Sequence, residues 1–277
     1  MRSRSDRVQI SDSKFQIPNF QSQSSEAGAT NSEVEGTNSE AQGTTQETIR
    51  LHTTVESLEL EQEPDGGKLR RWKIKTQRNE TILADAVCLS LPGYHSAKLL
   101  RGVDAKLATE LGEILYASSA TINLAYKRED IPHPLDGFGF VVPFIEKRTV
   151  MACTFSSVKF AGRAPRDHAL LRVFVGGALQ SEVLELSEAE LLTAVFGDLR
   201  ALLGIQKAPL FTEVSRWERS MPQYHVGHLA RVQRIEQRLA SLPNLALAGN
   251  AYSGLGIPDC IRSGETAAEV LAADFRE

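Results

Sequence analysis

The sequence predicts an α/β (α+β) protein of two domains, and three stretches carry that reading. Leu245 to Ala268 reads as strand, glycine-rich turn and helix in immediate succession. Val55 to Leu91 alternates apolar with polar residues across a hairpin and ends in a nearly uniform apolar run. Between them, Ala120–Tyr126, Phe138–Val142, Met151–Phe155 and Leu170–Gly176 are short strand-like runs separated by Pro, Gly and charged turns, which predicts a mostly antiparallel sheet.

Composition sets the outer limits. With 277 residues and 42% apolar content, the chain has enough material for one large core or two small ones. No run approaches the roughly 18–20 apolar residues of a membrane span. The Met-Arg-Ser-Arg start lacks the apolar centre of a secretory signal, so a cytoplasmic location is expected. A formal charge of −4 argues against a general nucleic-acid binder. Cys88, Cys153 and Cys260 are widely spaced and each sits in an apolar segment, which predicts buried thiols rather than disulfides or a metal site.

Residues up to 48 are rich in Ser, Gln, Glu, Thr, Asn and Gly without helical or strand periodicity, and are expected to be disordered. Order begins near Ile49. Val-Glu-Ser-Leu-Glu-Leu alternates toward the turn Glu63-Pro-Asp-Gly-Gly67, and Leu69–Thr76 returns with Trp72 and Ile74 set against Lys73 and Lys75. Ala84–Leu91 is uniform enough to predict a central strand covered on both faces, ended by Pro92 and Gly93. Ser96 to Leu115 spaces Leu99, Leu107, Leu111 and Leu115 for one or two helices.

After the four short strands, Ser187-x-x-Glu190 is a capping box that opens a helix running to Leu203, where Gly204 closes it. A strand near Phe211–Arg216 leads into Trp217. Leu229–Leu239 is amphipathic, with Leu229, Val232, Ile235 and Leu239 on one side and Arg231, Arg234 and Arg238 opposite. His225 and His228 lack a Cys or carboxylate at ligand spacing, so packing or a turn hydrogen bond is expected and a metal is not. In the last stretch Gly254 and Gly256 suit close backbone approach, and Pro258 suits a first helical position. The helix N-terminus that follows suits an anionic or electron-rich group, such as a phosphate or a flavin edge. Gly264 and Ala267 predict tight packing of this helix on another backbone.

The terminal run Gly-Asn-Ala-Tyr-x-Gly-x-Gly-Ile-Pro-Asp-Cys-Ile-x-Ser-Gly resembles the C-terminal signature of oxygen-dependent protoporphyrinogen oxidases, FAD enzymes of the amine-oxidase superfamily. The resemblance extends over roughly residues 49 to 274, through Asp136-Gly-Phe-Gly-Phe-Val-Val-Pro143, Ser156-Ser-Val-Lys-Phe160, Leu171-Arg-Val-Phe-Val-Gly-Gly177 and Pro222-Gln-Tyr-x-x-Gly-His228. It implies an FAD/NAD(P)-binding domain of the amine-oxidase type, incomplete here, with an inserted substrate domain of antiparallel sheet and helices. The corresponding segments are a leader at 1–48, FAD-domain parts at 49–98 and 216–277, and a substrate-binding part at 99–215.

The implied activity removes six hydrogens from a porphyrinogen at FAD and passes the electrons to oxygen, giving hydrogen peroxide and an aromatic porphyrin. Protoporphyrinogen IX is the implied substrate and coproporphyrinogen III the alternative. The resemblance places Phe138, Gly139, Val141, Thr154 and Phe174 around the macrocycle. It places Val55, Leu255, Gly256 and Ile257 at FAD, with Trp217 flanking it. Sheet core is the plain alternative for Phe138, Val141, Thr154 and Phe174, and ordinary strand core for Val55. No acid or base residue is implied. Because some members of this family sit on membranes, the Arg231, Arg234 and Arg238 stripe has anionic lipid as an alternative to solvent.

Members of the family begin with a strand and a Gly-x-Gly-x-x-Gly turn, and nothing in Met1–Glu47 provides one. The expectation is a C-terminal half that does not retain FAD alone. Three readings stand open: an oxidase completed by a separate N-terminal polypeptide, a catalytically dead remnant, or a porphyrin-binding module.

Overall fold

Alternation of apolar and polar residues builds the first sheet. In the computed structural model, which describes residues 49–62 and 70–273, strand β1 (Val55–Gln62) pairs antiparallel with β2 (Arg70–Thr76), and β2 with β3 (Thr81–Ala84). The expected leader and the expected turn at 63–67 lie outside the described residues. Leu58, Trp72 and Ile74 are buried, and the Trp72 indole Nε1 donates to the Pro243 carbonyl at 2.9 Å. The polar half of the alternation pairs across the strands, Lys73 with Glu61 at 2.8 Å and Lys75 with Glu59 at 2.7 Å.

The run Ala84–Leu91 is not the single central strand its composition predicts. Ala84 closes β3, and only Val87–Leu89 (β4) continues as strand, parallel to β10 (Leu245–Leu247). Asp85 divides the two. Its carboxylate meets Arg71 at 3.0 Å and its carbonyl accepts from Asn244 Nδ2 at 2.9 Å, partners that draw the chain out of the first sheet. Cys88 points to the opposite face of β4 from the buried Val87 and Leu89 and is exposed, against the expectation of a buried thiol. Cys153 is buried, and burial pushes its thiol up to about 12.

Helices α1 (Gly93–Leu100) and α2 (Ala105–Gly112) follow, the second capped by Asp104, whose Oδ1 accepts from the backbone N–H groups of Lys106 and Leu107 at 2.9 Å. The second sheet contains β5 (Tyr116–Lys127), β6 (Gly139–Val141), β7 (Val150–Phe155), β8 (His168–Gly176) and β9 (Phe211–Pro222) in the order β6-β7-β8-β5-β9, antiparallel throughout. A short helix α3 (Ser156–Lys159) ends β7. The long helix α4 (Glu188–Leu203) covers one face of this sheet. Its capping box forms as the sequence predicts, and Gly204 ends it at φ +73°. Leu191, Val195, Leu199 and Leu203 pack there with Ile122, Leu124, Leu171, Val173 and Val175.

Helix α5 (His228–Leu239) leads to β10, and α6 (Ile257–Ala273) closes the described chain. Ala246 and Ala248 pack against Ala267 of α6, as the small-residue pattern predicts, whereas Gly264 faces open space. The arginine stripe on α5 is ion-paired as well as partly open to solvent, with the Arg234 side chain 48% exposed. Arg231 and Arg234 bind Glu110 of α2, and Arg238 grips both oxygens of Asp104 at 3.0 Å, so each guanidinium has a carboxylate partner. Residues 49–112 with 229–273 form one compact unit and residues 113–228 another. The helical stretch after residue 99 thus belongs with the first sheet, and Trp217 with the second. Among the described residues no helix is long and apolar enough to cross a membrane.

Candidate functional site

In the second unit, strand alternation divides the five-stranded sheet into two unlike faces. On β5, β7 and β8 the residues facing α4 are apolar and buried, while Phe140 of β6 and Val214 of β9 are partly buried at the sheet edges. The opposite face carries, in register across β6, β7, β8, β5 and β9, the row Val141, Ala152, Phe174, Thr121 and Ser215. A second row beside it contains Gly139, Thr154, Arg172, Asn123 and Glu213. Trp217 lies on the same face opposite Ser119, and its Nε1 donates to the Thr121 hydroxyl at 3.1 Å.

Gly139, Val141, Thr154, Phe174 and Trp217 therefore share one surface. Val141 is 79% exposed and Phe138, just before β6, is 68% exposed, so sheet core is excluded as the explanation of either. Thr154 and Phe174 are half-buried. The residue of this strand that packs on the core is Phe140. Gly139 has a reason of its own. It lies at φ +141°, and a Cβ there would overlap the Cys153 carbonyl oxygen and sit 2.9 Å from Thr154 Cα. The close approach that it allows is that of the neighbouring strand.

Beyond Trp217 the face runs into an open cavity of about 590 Å³ lined by Ser119, Gly177, Leu184, Arg216, Trp217 and His225. Arg216 fixes one wall, donating to the carbonyls of Leu184 at 2.6 Å and Leu186 at 2.8 Å. His228 is buried, with its ring stacked on Tyr224 at 3.9 Å between centroids. Arg172, Asn123, Thr121 and Arg216 escaped the sequence reading. The first three are polar members of alternating strands, and their only signal is their parity with Phe174.

The first unit holds the other predicted positions. Leu255, Gly256 and Ile257 are exposed on the turn that opens α6, and Gly249 N–H donates to Ser263 Oγ at 3.1 Å, tying the turn to the helix. At Gly254 a Cβ would lie 2.5 Å from the Asp259 side chain, and Asp259 Oδ2 lies 3.0 Å from the same position on Gly256. The protein's own carboxylate thus occupies the helix N-terminus. Its charge opposes a phosphate there, while the exposed backbone and apolar side chains suit an uncharged, hydrogen-bonding ring edge. Val55 is half-buried at the start of β1, paired with Thr76 next to a bulge.

This chain belongs to the flavin containing amine oxidoreductase family, which matches residues 36–272. Within that family the motif-based resemblance holds. The coproporphyrinogen III oxidase of Bacillus subtilis (strain 168) is 32% identical over 197 residues, covering 71% of this chain and 42% of the relative. The mitochondrial protoporphyrinogen oxidase of Nicotiana tabacum is 30% identical over 200 residues, covering 70% and 40%. A crystal structure from Exiguobacterium sp. 255-15, provisionally named a protoporphyrinogen oxidase, superposes with a TM-score of 0.71 at 33% identity, over 82% of this chain and 48% of that one. A putrescine oxidase at 14% identity and a TM-score of 0.58 shares the fold alone. The chain spans about two fifths of the length of these curated relatives.

Proposed function

We propose that this chain supplies the substrate sheet and one cofactor-binding turn of an FAD-dependent porphyrinogen oxidase. The observation that carries the proposal is the outer sheet face: Val141, Phe174 and Trp217 set accessible apolar side chains among polar neighbours on an antiparallel sheet, in a family of flavin oxidoreductases. A flat macrocycle gains most from such a surface, because stacking on aromatic and aliphatic side chains removes apolar area from water without asking for many hydrogen bonds.

Hydride removal from a porphyrinogen needs positioning more than acid–base chemistry. Phe174 and Val141 hold the ring plane, Thr154 and Trp217 border it, and Phe138 closes the edge beside β6. Leu255, Gly256 and Ile257 meet the ring end of the flavin, with Val55 at its adenine end. When bound, FAD supplies the hydride acceptor, and oxygen takes the electrons onward as hydrogen peroxide. Six hydrogens leave protoporphyrinogen in all, with coproporphyrinogen as the second candidate because relatives of both names match. Turnover is proposed for the protein that contains the whole oxidase fold.

The test is a fluorescence titration of the purified chain with protoporphyrin IX. Saturable binding that Phe174→Ala weakens about tenfold, the effect of losing one ring stack of roughly 1.4 kcal/mol, supports the proposal. Absence of saturable binding, or binding that Phe174→Ala leaves unchanged, overturns it.

A further inference from the structure

We infer that Arg172 reads a carboxylate on the rim of the tetrapyrrole, and so sets a preference for the more heavily carboxylated substrate. This rests on the proposed porphyrinogen reading and deepens it. Arg172 stands two residues before Phe174 on β8, so the two side chains leave the same face about 7 Å apart. Thr154 and Asn123 flank it in register. Arg172 is exposed.

Its hydrogen bonding leaves it prepared for an anion. Nε donates to Asn123 Oδ1 at 2.9 Å, and Asn123 Nδ2 donates onward to Glu213 Oε2 at 3.3 Å. The amide fixes one edge of the guanidinium and stands between it and the nearest carboxylate on that row. Among the described residues Arg172 makes no ion pair. Other arginines are differently engaged: Arg148, Arg231, Arg234 and Arg238 each meet an Asp or Glu, and Arg128 and Arg216 donate to backbone carbonyls. A guanidinium anchored through Nε by a neutral partner keeps its Nη donors for a planar anion, which is carboxylate geometry.

The macrocycle has no use for a cation on its apolar face, but its propionate arms do. A ring lying over Phe174 carries those arms outward past its own edge, toward the row that holds Arg172. Coproporphyrinogen bears a propionate on each of its four pyrrole rings and protoporphyrinogen on two adjacent rings. Whichever way the first is turned in the slot, one arm falls toward Arg172. The second meets it only in some orientations.

The experiment titrates the full chain with coproporphyrin III, protoporphyrin IX and etioporphyrin, which has no carboxylate, using porphyrin fluorescence for wild type, Arg172→Met and Arg172→Lys. Wild type should prefer coproporphyrin over etioporphyrin, with the gap narrowing as salt rises. Arg172→Met should weaken coproporphyrin about tenfold and leave etioporphyrin within about twofold, while Arg172→Lys should recover part of the loss. Equal weakening of all three ligands by Arg172→Met, or no change in any, overturns the assignment. Failure of wild type to bind any of the three overturns the porphyrinogen reading itself, a different result from loss of the carboxylate preference alone.

Discussion

The Trp217 indole donates its Nε1–H to the Thr121 hydroxyl at 3.1 Å, which fixes the ring of an edge-strand residue against the neighbouring strand β5. Two consequences separate this bond from the general stability of the sheet. Thr121→Val keeps the shape and removes the acceptor, and because Trp217 is 38% exposed, water replaces the lost partner. The melting transition should therefore shift by less than about 1.5 kcal/mol, while the long-wavelength component of tryptophan emission, assigned to Trp217 because Trp72 is fully buried, should broaden. A loss of several kcal/mol with unchanged emission would mean that the hydroxyl serves the core instead.

Phe138 and Val141 are expected to carry little of the stability. Their exposure leaves little apolar area to lose, so in chemical denaturation Val141→Ala should stay within about 0.5 kcal/mol of wild type and Phe138→Ala within about 1.5 kcal/mol. Leu171→Ala, on the opposite face of the same sheet and fully buried, should cost about 2–5 kcal/mol. If the Phe138 variant loses as much as the Leu171 variant, the ring belongs to the core after all.

These contrasts show where the sequence was sufficient. Ser187, Glu190 and Gly204 define the ends of α4 because caps are local chemistry, satisfied by residues three or four positions apart. The buried parity of β5 and β8 was equally legible, since one face of each strand is uniformly apolar. What failed depended on distant partners. Asp85 breaks the apolar run because Arg71 and Asn244 receive it, and nothing within Ala84–Leu91 announces them. Strand β9 continues past Arg216 to Pro222 because it follows β5 across a bulge between Ala117 and Ser119. The carboxylate partners of the α5 arginines, Glu110 of α2 and its cap Asp104, lie more than 120 positions away in the sequence. Within the candidate site, the apolar members were legible by resemblance, whereas Arg172 and Asn123 take their meaning only from the register that sets them beside Phe174.

The α2–α5 clamp should weaken in acid. Burial opposes ionisation of Asp104, but the Leu107 N–H, the Arg238 guanidinium and the Lys106 N–H together hold its carboxyl below the usual range. Glu110 is lowered too, chiefly by its hydrogen bond from Arg234. A carboxyl whose folded pKa is depressed stabilises fully above its unfolded value, near 4, and loses that contribution as pH falls through the folded value. Asp104→Asn keeps an acceptor for the helix cap and removes the charge. It should cost about 1 kcal/mol at neutral pH, and the gap to wild type should close below the ordinary carboxylate range in urea melts at stepped pH. A gap that is constant with pH would assign the cost to packing.

Gly139 offers the sharpest separation of a structural reason from a ligand-binding one. Its φ of +141° is one that L side chains rarely adopt, and the atoms that a Cβ would meet are backbone: the Cys153 carbonyl oxygen, Thr154 Cα at 2.9 Å and Cys153 C at 3.1 Å. Backbone in a paired ladder cannot swing aside as the end of a side chain can, so Gly139→Ala must open the β6–β7 pairing or distort it. Backbone strain and overpacking, each worth roughly 1–3 kcal/mol, give an expected loss of about 2–6 kcal/mol before any ligand is added. Gly102 is the control: it has no positive φ and nothing within 4 Å of a built Cβ, so Gly102→Ala should be neutral or slightly stabilising through the unfolded chain. If the glycine existed only to admit a flat ring, Gly139→Ala would melt like wild type and lose porphyrin. A melting loss in the ligand-free protein assigns the glycine to the hairpin. Any weaker porphyrin binding then follows from the displaced edge strand and its neighbours Phe138 and Val141, not from a methyl group in the path of the ring.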